Sequence, residues 1–142
     1  MLRALLKTII PEWQVPKAIT PDVPRQLSIN LDAAIRSEHV VIITGVRRCG
    51  KSILLQHIRN QQKENQYYLN FDDERLVNFT VEDFQLMMEI FAELYGDQKI
   101  CYFDEIQNIV GWERFVRRLH EMDYKIFVTG SNAKMLSQEL GW

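Results

Sequence analysis

The fold is decided by residues 39–52, HVVIITGVRRCGKS. The run from His39 to Gly45 is apolar, rich in β-branched side chains and ended by glycine, which predicts a strand buried on both faces of a sheet. The run from Gly45 to Ser52 matches GxxxxGK(S/T), the pattern of a loop that binds phosphate between a strand and a helix. Glycine lets the backbone approach the phosphates, while the loop amides and the helix N-terminus direct positive dipoles at the anion.

Strand-like and helix-like segments alternate after this stretch. Their periodicity predicts helices over residues 51–62, 80–95 and 112–122, and strands over residues 66–71, 99–103 and 124–129. The helix residues expected to face the core are Ile53, Leu54 and Ile58, then Phe84, Met87, Met88, Phe91 and Leu94, and finally Phe115, Val116, Leu119 and Met122. Such alternation predicts an α/β fold, with three α/β/α layers around a mostly parallel sheet.

Residues 1–37 carry a different pattern. Leu2, Leu5, Leu6 and Ile9 recur at helical spacing, which predicts an amphipathic N-terminal helix. All 4 prolines lie between residues 11 and 24, which predicts an extended connector, because proline lacks the backbone donor that a helix needs. A second helix is expected over residues 27–37. We therefore divide the chain into N-terminal helices with a proline-rich connector (1–37) and a core (38–142).

The composition restricts the class of protein. A chain of 142 residues with 46% hydrophobic residues is long enough for one globular domain. Lys plus Arg total 17 and Asp plus Glu total 19, and the net charge of −2 excludes a strongly basic nucleic-acid-binding module. The 2 cysteines are too few for a disulfide framework, which favours a reduced, cytoplasmic setting. No apolar run reaches the roughly 18 residues of a membrane span, so no membrane role is expected.

The loop itself predicts the nucleotide contacts. Lys51 is expected to reach the β- and γ-phosphates, and the Ser52 hydroxyl is expected to ligate Mg²⁺. Arg47 and Arg48 have two open interpretations, as solvated loop tips or as contacts to phosphate or to a neighbouring subunit. The full set of expected nucleotide-binding residues in this segment is Gly45, Val46, Arg47, Arg48, Cys49, Gly50, Lys51, Ser52 and Ile53.

Two acids follow the third core strand. The run ICYFDE at residues 100–105 ends in Asp104 and Glu105. In a parallel sheet this end lies at the same edge as the phosphate loop. Asp104 is therefore expected to hold Mg²⁺ through water, and Glu105 to orient and deprotonate the attacking water.

Polar residues also follow the fourth core strand, in the run FVTGSN at residues 127–132. Either Ser131 or Asn132 is placed to contact the γ-phosphate or the lytic water, and the spacing does not distinguish the two. Both residues also suit the N-cap of a following helix. Two further charged groups are expected to be structural: the acids 72–74 as a turn ending a strand, and Arg114, Arg117 and Arg118 as a solvated helix face.

Four segments resemble a known family: GVRRCGKS (45–52), YLNFDDERL (68–76), YFDEIQNIVGWERFVRRL (102–119) and FVTGSNAKMLSQEL (127–140). They are similar to the prokaryotic AAA-type P-loop ATPases whose phosphate loop carries a paired arginine. The resemblance implies an AAA+ core in which the fourth strand lies between the first and the third. It implies a Walker A motif at residues 45–52, a Walker B motif at Asp104 and Glu105, and a sensor at Ser131 or Asn132. Such proteins continue with a fifth strand and a helical lid, so the resemblance implies that these are missing from this chain.

The functional prediction is an ATP-binding, Mg²⁺-dependent ATPase core that couples nucleotide binding and hydrolysis to a conformational or assembly step. The expected partners are ATP and further copies or further domains of a longer protein; the charge gives no support for nucleic acid. The absence of the guanine-reading pattern Asn-Lys-x-Asp favours adenine. A nucleotide-gated switch with little hydrolysis is the alternative, and a small-molecule kinase fits less well, because adjacent acids suit activation of water.

Overall fold

A computed structural model describes residues 2–14, 33, 35–44, 51–61 and 66–130, with the backbone alone described at 51–53. The helices are α1 (Leu2–Gln14), α2 (Lys51–Gln61), α3 (Phe84–Tyr95) and α4 (Trp112–Glu121), and the strands are β1 (Val41–Thr44), β2 (Tyr67–Asn70), β3 (Ile100–Asp104) and β4 (Lys125–Gly130). Short 3₁₀ turns lie at Glu74–Leu76, Val81–Asp83 and Ile106–Asn108. The alternation of strands and helices predicted after residue 38 is confirmed.

The four strands form one parallel sheet in the order β1-β4-β3-β2. The predicted fold class is confirmed, and so is the expected position of the fourth strand between the first and the third. The prediction that the first strand is buried on both faces is wrong, because only Ile43 in β1 is buried. Within the described part of the chain, β1 pairs with β4 alone. It is therefore an edge strand, whereas β3 and β4 are paired on both edges.

Helices cover the two faces of the sheet. On one face, Leu55 and Ile58 of α2 pack against Tyr68, Tyr102 and Phe127. On the other face, α1, α3 and α4 share a larger core, in which the rings of Phe84 and Phe115 stack with centroids 4.0 Å apart. Stacked aromatic pairs add about 0.5–1.5 kcal/mol beyond their area burial, so this contact joins α3 firmly to α4.

Some of the residues predicted to face the core differ from those that the structure buries. Leu55 is fully buried in α2, whereas Leu54 is only partly buried. In α3 the predicted Met87 and Phe91 are fully buried, but so is Ile90, which was not predicted, and Leu94 is 39% exposed near the helix end. Met122 lies beyond the end of α4 and is 51% exposed.

The connector predicted to begin at Pro11 is wrong for its first four residues, because α1 continues through Pro11 to Gln14. An internal proline costs about 3 kcal/mol or more of helix stability, and burial of Ile9 and Ile10 offsets part of that cost. The end of α1 also gains polar contacts. The Trp13 indole donates to an Asp73 carboxylate oxygen at 2.8 Å.

The side-chain amide of Gln14 hydrogen-bonds to backbone groups at the outer edge of β2. Its oxygen accepts a hydrogen bond from the Tyr68 backbone N–H at 3.2 Å, and its nitrogen donates to the Gln66 carbonyl. One amide therefore takes the place of a neighbouring strand, and it protects backbone groups that an exposed edge would offer to another chain. The helix end and the sheet edge are held together by this contact.

The remaining N-terminal predictions fall largely outside the described residues. Of the expected helix over residues 27–37, the described residues Ala33, Ile35 and Arg36 are helical. The connector beyond residue 14 lies outside the described residues. The division of the chain at residue 37 stays a prediction. Among the described helices, none has the length and apolar character needed to cross a membrane.

Candidate functional site

The candidate site lies at the carboxyl edge of the sheet. There β1 ends at Thr44, and α2 begins at Lys51, so the predicted phosphate loop connects a strand directly to a helix. Residues 45–50 of that loop and the candidate sensors Ser131 and Asn132 lie outside the described residues, as do the side chains at 51–53. The described geometry of the site is therefore that of the strand ends beside the loop.

Asp104 is the last residue of β3 and is 1% exposed. Both of its carboxylate oxygens accept hydrogen bonds from hydroxyl groups. Oδ1 accepts from Thr129 Oγ1, and Oδ2 accepts from the Tyr68 hydroxyl at 2.8 Å. The donors come from the strands on either side of β3, so the parallel register fixes the carboxylate in place.

Glu105 follows directly and has a left-handed backbone, with φ 58° and ψ 41°. This conformation costs a non-glycine residue of order 1–3 kcal/mol. Its backbone N–H donates to Thr129 Oγ1 at 2.9 Å, and its Oε2 accepts from the Gln107 side-chain amide at 2.8 Å. Glu105 is 6% exposed, so a buried acidic residue with a strained backbone follows Asp104.

Thr129 connects the two acids. Its hydroxyl accepts from the Glu105 N–H and donates to Asp104, and the residue is fully buried. A single hydroxyl therefore fixes both the direction of the Asp104 carboxylate and the turn at Glu105. Sequence reasoning placed a polar residue after β4 but did not identify Thr129, because the contact depends on which strand lies beside β3.

Tyr68 and Arg59 were also missed. The Arg59 guanidinium is 5% exposed and its carbon lies 4.0 Å from the centroid of the Tyr68 ring. It donates to the side chains of Gln66 at 3.1 Å and Gln56 at 3.0 Å, and to the Gln14 carbonyl at 3.0 Å. The polar sequence around Arg59 gave no signal of burial, and only the contact of α1 with α2 reveals it.

Burial changes the protonation chemistry of these groups. Removal from water lowers the pKa of Arg59, while electrostatic interactions with Tyr68, Tyr102 and Asp104 oppose that shift. Burial raises the pKa of Tyr68, and the charge of Asp104 raises it further. Tyr68 is therefore a protonated donor to Asp104 over the whole physiological range.

The other charged groups behave as the sequence predicts for structural residues. The acids at 72–74 end a strand in a turn, where a hydrogen bond from Arg75 is the largest cause that lowers the pKa of Asp73 to about 2. Arg114, Arg117 and Arg118 are exposed on α4. Across the described residues, no group of three or more His, Cys, Asp or Glu side chains is arranged to hold a metal ion by itself.

Residues 37–141 match the family described as the AAA domain. The chain belongs to this family. An uncharacterized protein of Methanocaldococcus jannaschii is 38% identical to it over 115 residues, which are 79% of this chain and 26% of that protein. An uncharacterized protein of Haemophilus influenzae is 39% identical over 114 residues, which are 73% of this chain and 28% of that protein.

The fold agrees with this membership. The AMPPCP-bound DnaA from Aquifex aeolicus superimposes with a TM-score of 0.52 at 15% identity, over 92% of this chain and 45% of that one. At this identity the likeness shows the fold alone. Membership of the AAA family makes the chain a nucleotide-binding domain of the AAA ATPase type. The chain spans about a quarter of the length of each of the two relatives.

Proposed function

We propose that this AAA domain is the Mg²⁺-dependent, ATP-hydrolysing core of a longer protein, in which nucleotide binding and hydrolysis drive a conformational or assembly step. The observation that carries the proposal is the pair of nearly buried acids, Asp104 and Glu105, at the carboxyl end of a central strand. The strand that leads into the GxxxxGK(S/T) loop ends at the same edge, since all pairings are parallel. Phosphate binding and water activation would then occur at one place.

The choice of ATP rests on three supports: family membership, the AMPPCP bound to the structural neighbour, and the absence of a guanine-reading motif. The backbone amides of residues 45–50 would surround the phosphates, and Lys51 would contact the β- and γ-phosphates. Ser131 or Asn132, which follow β4, would contact the γ-phosphate. Further copies of the chain, or further domains of the longer protein, are the proposed partners.

The residues present suit Mg²⁺. This ion prefers oxygen ligands and is usually held by one or two carboxylates together with waters and substrate phosphates. A carboxylate has about four lone-pair positions, and Asp104 uses two of them for the hydroxyls of Thr129 and Tyr68. Asp104 and the Ser52 hydroxyl would hold the ion, which when bound neutralises the charge that develops on the phosphate oxygens.

Glu105 is the proposed general base. As the water oxygen forms a bond to the γ-phosphorus, the bond from that phosphorus to the β,γ-bridging oxygen breaks, and its electron pair leaves with ADP. The proton of the water passes to the Glu105 carboxylate. Lys51 stabilises the negative charge on the phosphate oxygens throughout.

One observation favours a second candidate, a nucleotide-gated switch that hydrolyses ATP slowly. The Glu105 carboxylate already accepts a hydrogen bond from Gln107, and a carboxylate engaged by a donor is a weaker base. In that case a conformational change or a neighbouring subunit would be needed before hydrolysis. Turnover per chain that rises steeply with protein concentration favours the oligomeric ATPase, and near-zero turnover with tight ATP binding favours the switch.

The test measures ATP binding and ATP turnover on the same samples with Mg²⁺ present. The variants are Lys51→Ala, Glu105→Gln and, as a matched control, Glu121→Gln at an exposed position of α4. We expect Lys51→Ala to lose binding, Glu105→Gln to bind but not hydrolyse, and Glu121→Gln to match the unsubstituted chain. ATP binding that survives Lys51→Ala unchanged, or no binding by a folded chain, would refute the proposal.

A further inference from the structure

Two buried tyrosines face α2 from neighbouring strands. Tyr68 of β2 and Tyr102 of β3 are partners in the register, and both pack in the cluster with Leu55, Ile58 and Phe127. Their side chains are 1% and 0% exposed, respectively. Both rings therefore contribute to the same part of the core, where the Tyr102 ring also stacks on Phe127 with centroids 4.7 Å apart.

The hydroxyl groups differ in their partners. The Tyr68 hydroxyl donates to Asp104 Oδ2 at 2.8 Å. The Tyr102 hydroxyl is buried without a hydrogen-bond partner among the described residues. Packing alone would require both rings but neither hydroxyl, and a buried hydroxyl is unfavourable unless it is bonded. Tyr68 differs because it meets the carboxylate at the end of β3.

The Tyr68 ring is held from behind by Arg59. The guanidinium lies over the ring at 4.0 Å, and its orientation is fixed by three acceptors, which lie at the end of α1, within α2 and just before β2. One of these acceptors is the carbonyl of Gln14, at the end of α1. A cation over an aromatic face attracts the ring more strongly when the cation is desolvated, and Arg59 is buried. The ring therefore has little freedom to carry its hydroxyl away from Asp104.

We infer that Tyr68 is a positioning residue for Asp104, that Arg59 keeps it in place, and that its hydroxyl sets the orientation in which Asp104 meets Mg²⁺. This inference rests on the proposed function. Partners that orient a metal-binding side chain in this way typically change metal affinity or activity by about 10–100-fold when they are removed. Tyr68 itself touches neither nucleotide nor metal in this scheme.

The test is calorimetric titration of the full chain with ATP, in EDTA and at a series of MgCl₂ concentrations. The variants are Tyr68→Phe, Tyr102→Phe and Asp104→Asn. We expect Tyr68→Phe to raise by about tenfold the Mg²⁺ concentration that gives half of the Mg²⁺-dependent gain in ATP affinity. ATP affinity in EDTA should stay unchanged in Tyr68→Phe, and Tyr102→Phe should match the unsubstituted chain in both conditions.

The outcomes separate this inference from the proposed function. If Asp104→Asn removes the Mg²⁺ dependence but Tyr68→Phe behaves like Tyr102→Phe, the positioning role is wrong and the proposed function stands. If Tyr68→Phe weakens ATP binding equally in EDTA, its role is structural and the inference is again wrong. If the unsubstituted, folded chain binds ATP without any Mg²⁺ dependence, the proposed role of Asp104 fails and the inference fails with it.

A second measurement makes its decisive comparison on the unsubstituted chain. Mg²⁺ engagement of Asp104 weakens it as an acceptor for the Tyr68 hydroxyl, so the near-ultraviolet tyrosine absorption of the unsubstituted chain with ATP should change when MgCl₂ is added. The same change should appear in Tyr102→Phe. No change in the unsubstituted chain, under conditions where calorimetry shows Mg²⁺-dependent binding, would overturn the inference.

Discussion

Replacing Thr129 by valine tests the connection between the two acids. Valine keeps the shape and the β-branched character of threonine, so the substitution removes only the hydroxyl from a fully buried site. Two hydrogen bonds disappear, the one that Thr129 donates to Asp104 and the one that it accepts from the Glu105 N–H. Both remaining groups are buried, and they lose a partner without gaining access to water.

The expected loss of stability follows from these two bonds. A hydrogen bond to a charged group contributes about 1.5–3 kcal/mol, and a neutral one about 0.5–1.5 kcal/mol. Thr129→Val should therefore lower the free energy of unfolding by about 2–4.5 kcal/mol. For a domain of this size that corresponds to roughly 8–18 °C in Tm, at about 4 °C per kcal/mol.

The assay is urea unfolding followed by circular dichroism, with Thr129→Ser as the matched control. Serine keeps the hydroxyl and loses one buried methyl group, which should cost about 0.5–1.5 kcal/mol. We expect the valine variant to be clearly less stable than the serine variant. Equal stability of the two, or a more stable valine variant, would show that Asp104 and the Glu105 N–H do not depend on this hydroxyl.

Three further predictions concern single groups. Because the folded-state pKa of Asp73 is lowered to about 2 from 3.8, its contribution to stability is complete above about pH 4 and is lost as the pH falls towards 2. Asp73→Asn should therefore flatten the pH dependence of the urea midpoint between pH 4 and pH 2, with Glu74→Gln at an exposed neighbouring position as the control. Tyr102→Phe removes a buried hydroxyl that has no partner among the described residues, so the free energy of unfolding, measured with urea, should stay equal or rise by up to about 1 kcal/mol. A fall of more than about 1 kcal/mol in that free energy would reveal a hydrogen-bond partner. Burial raises the pKa of the Cys101 thiol, so in a Cys49→Ser background Ellman's reagent should react only after urea unfolds the chain, and fast labelling of the native protein would contradict this burial.

The sequence was sufficient for the order of the elements because their local signals agree with one another. The β-branched runs and the helical spacing of apolar residues each predict the element that the structure contains. The errors occur where a distant contact outweighs the local signal. Pro11 predicts the end of a helix, but α1 continues because Trp13 and Gln14 bind Asp73 and the edge of β2.

The candidate site likewise contains residues that the sequence predicts and partners that it does not. Asp104 and Glu105 could be placed at the carboxyl edge because the pair comes immediately after the apolar residues of β3, and parallel pairing fixes which edge that is. The partners of these acids were not predictable, because Tyr68 and Thr129 reach Asp104 across strands that are distant in sequence. Only the sheet order, with β3 between β2 and β4, brings both hydroxyls to one carboxylate.

The choice of hydroxyl donors has a consequence for the chemistry at Asp104. A lysine or arginine in direct contact would neutralise the carboxylate and compete with Mg²⁺ for it. In the described part of the chain, the buried cation on this side is Arg59, and the Tyr68 ring that it covers carries the hydroxyl bonded to Asp104. The two hydroxyls orient the carboxylate, and among the described residues no cationic side chain is bonded to its other lone pairs. Under the proposed function, an exchangeable Mg²⁺–nucleotide complex requires an oriented carboxylate that no cation of the protein neutralises. Substitution of Tyr68 by a cationic residue should therefore abolish the proposed Mg²⁺ dependence, which we expect phenylalanine only to weaken.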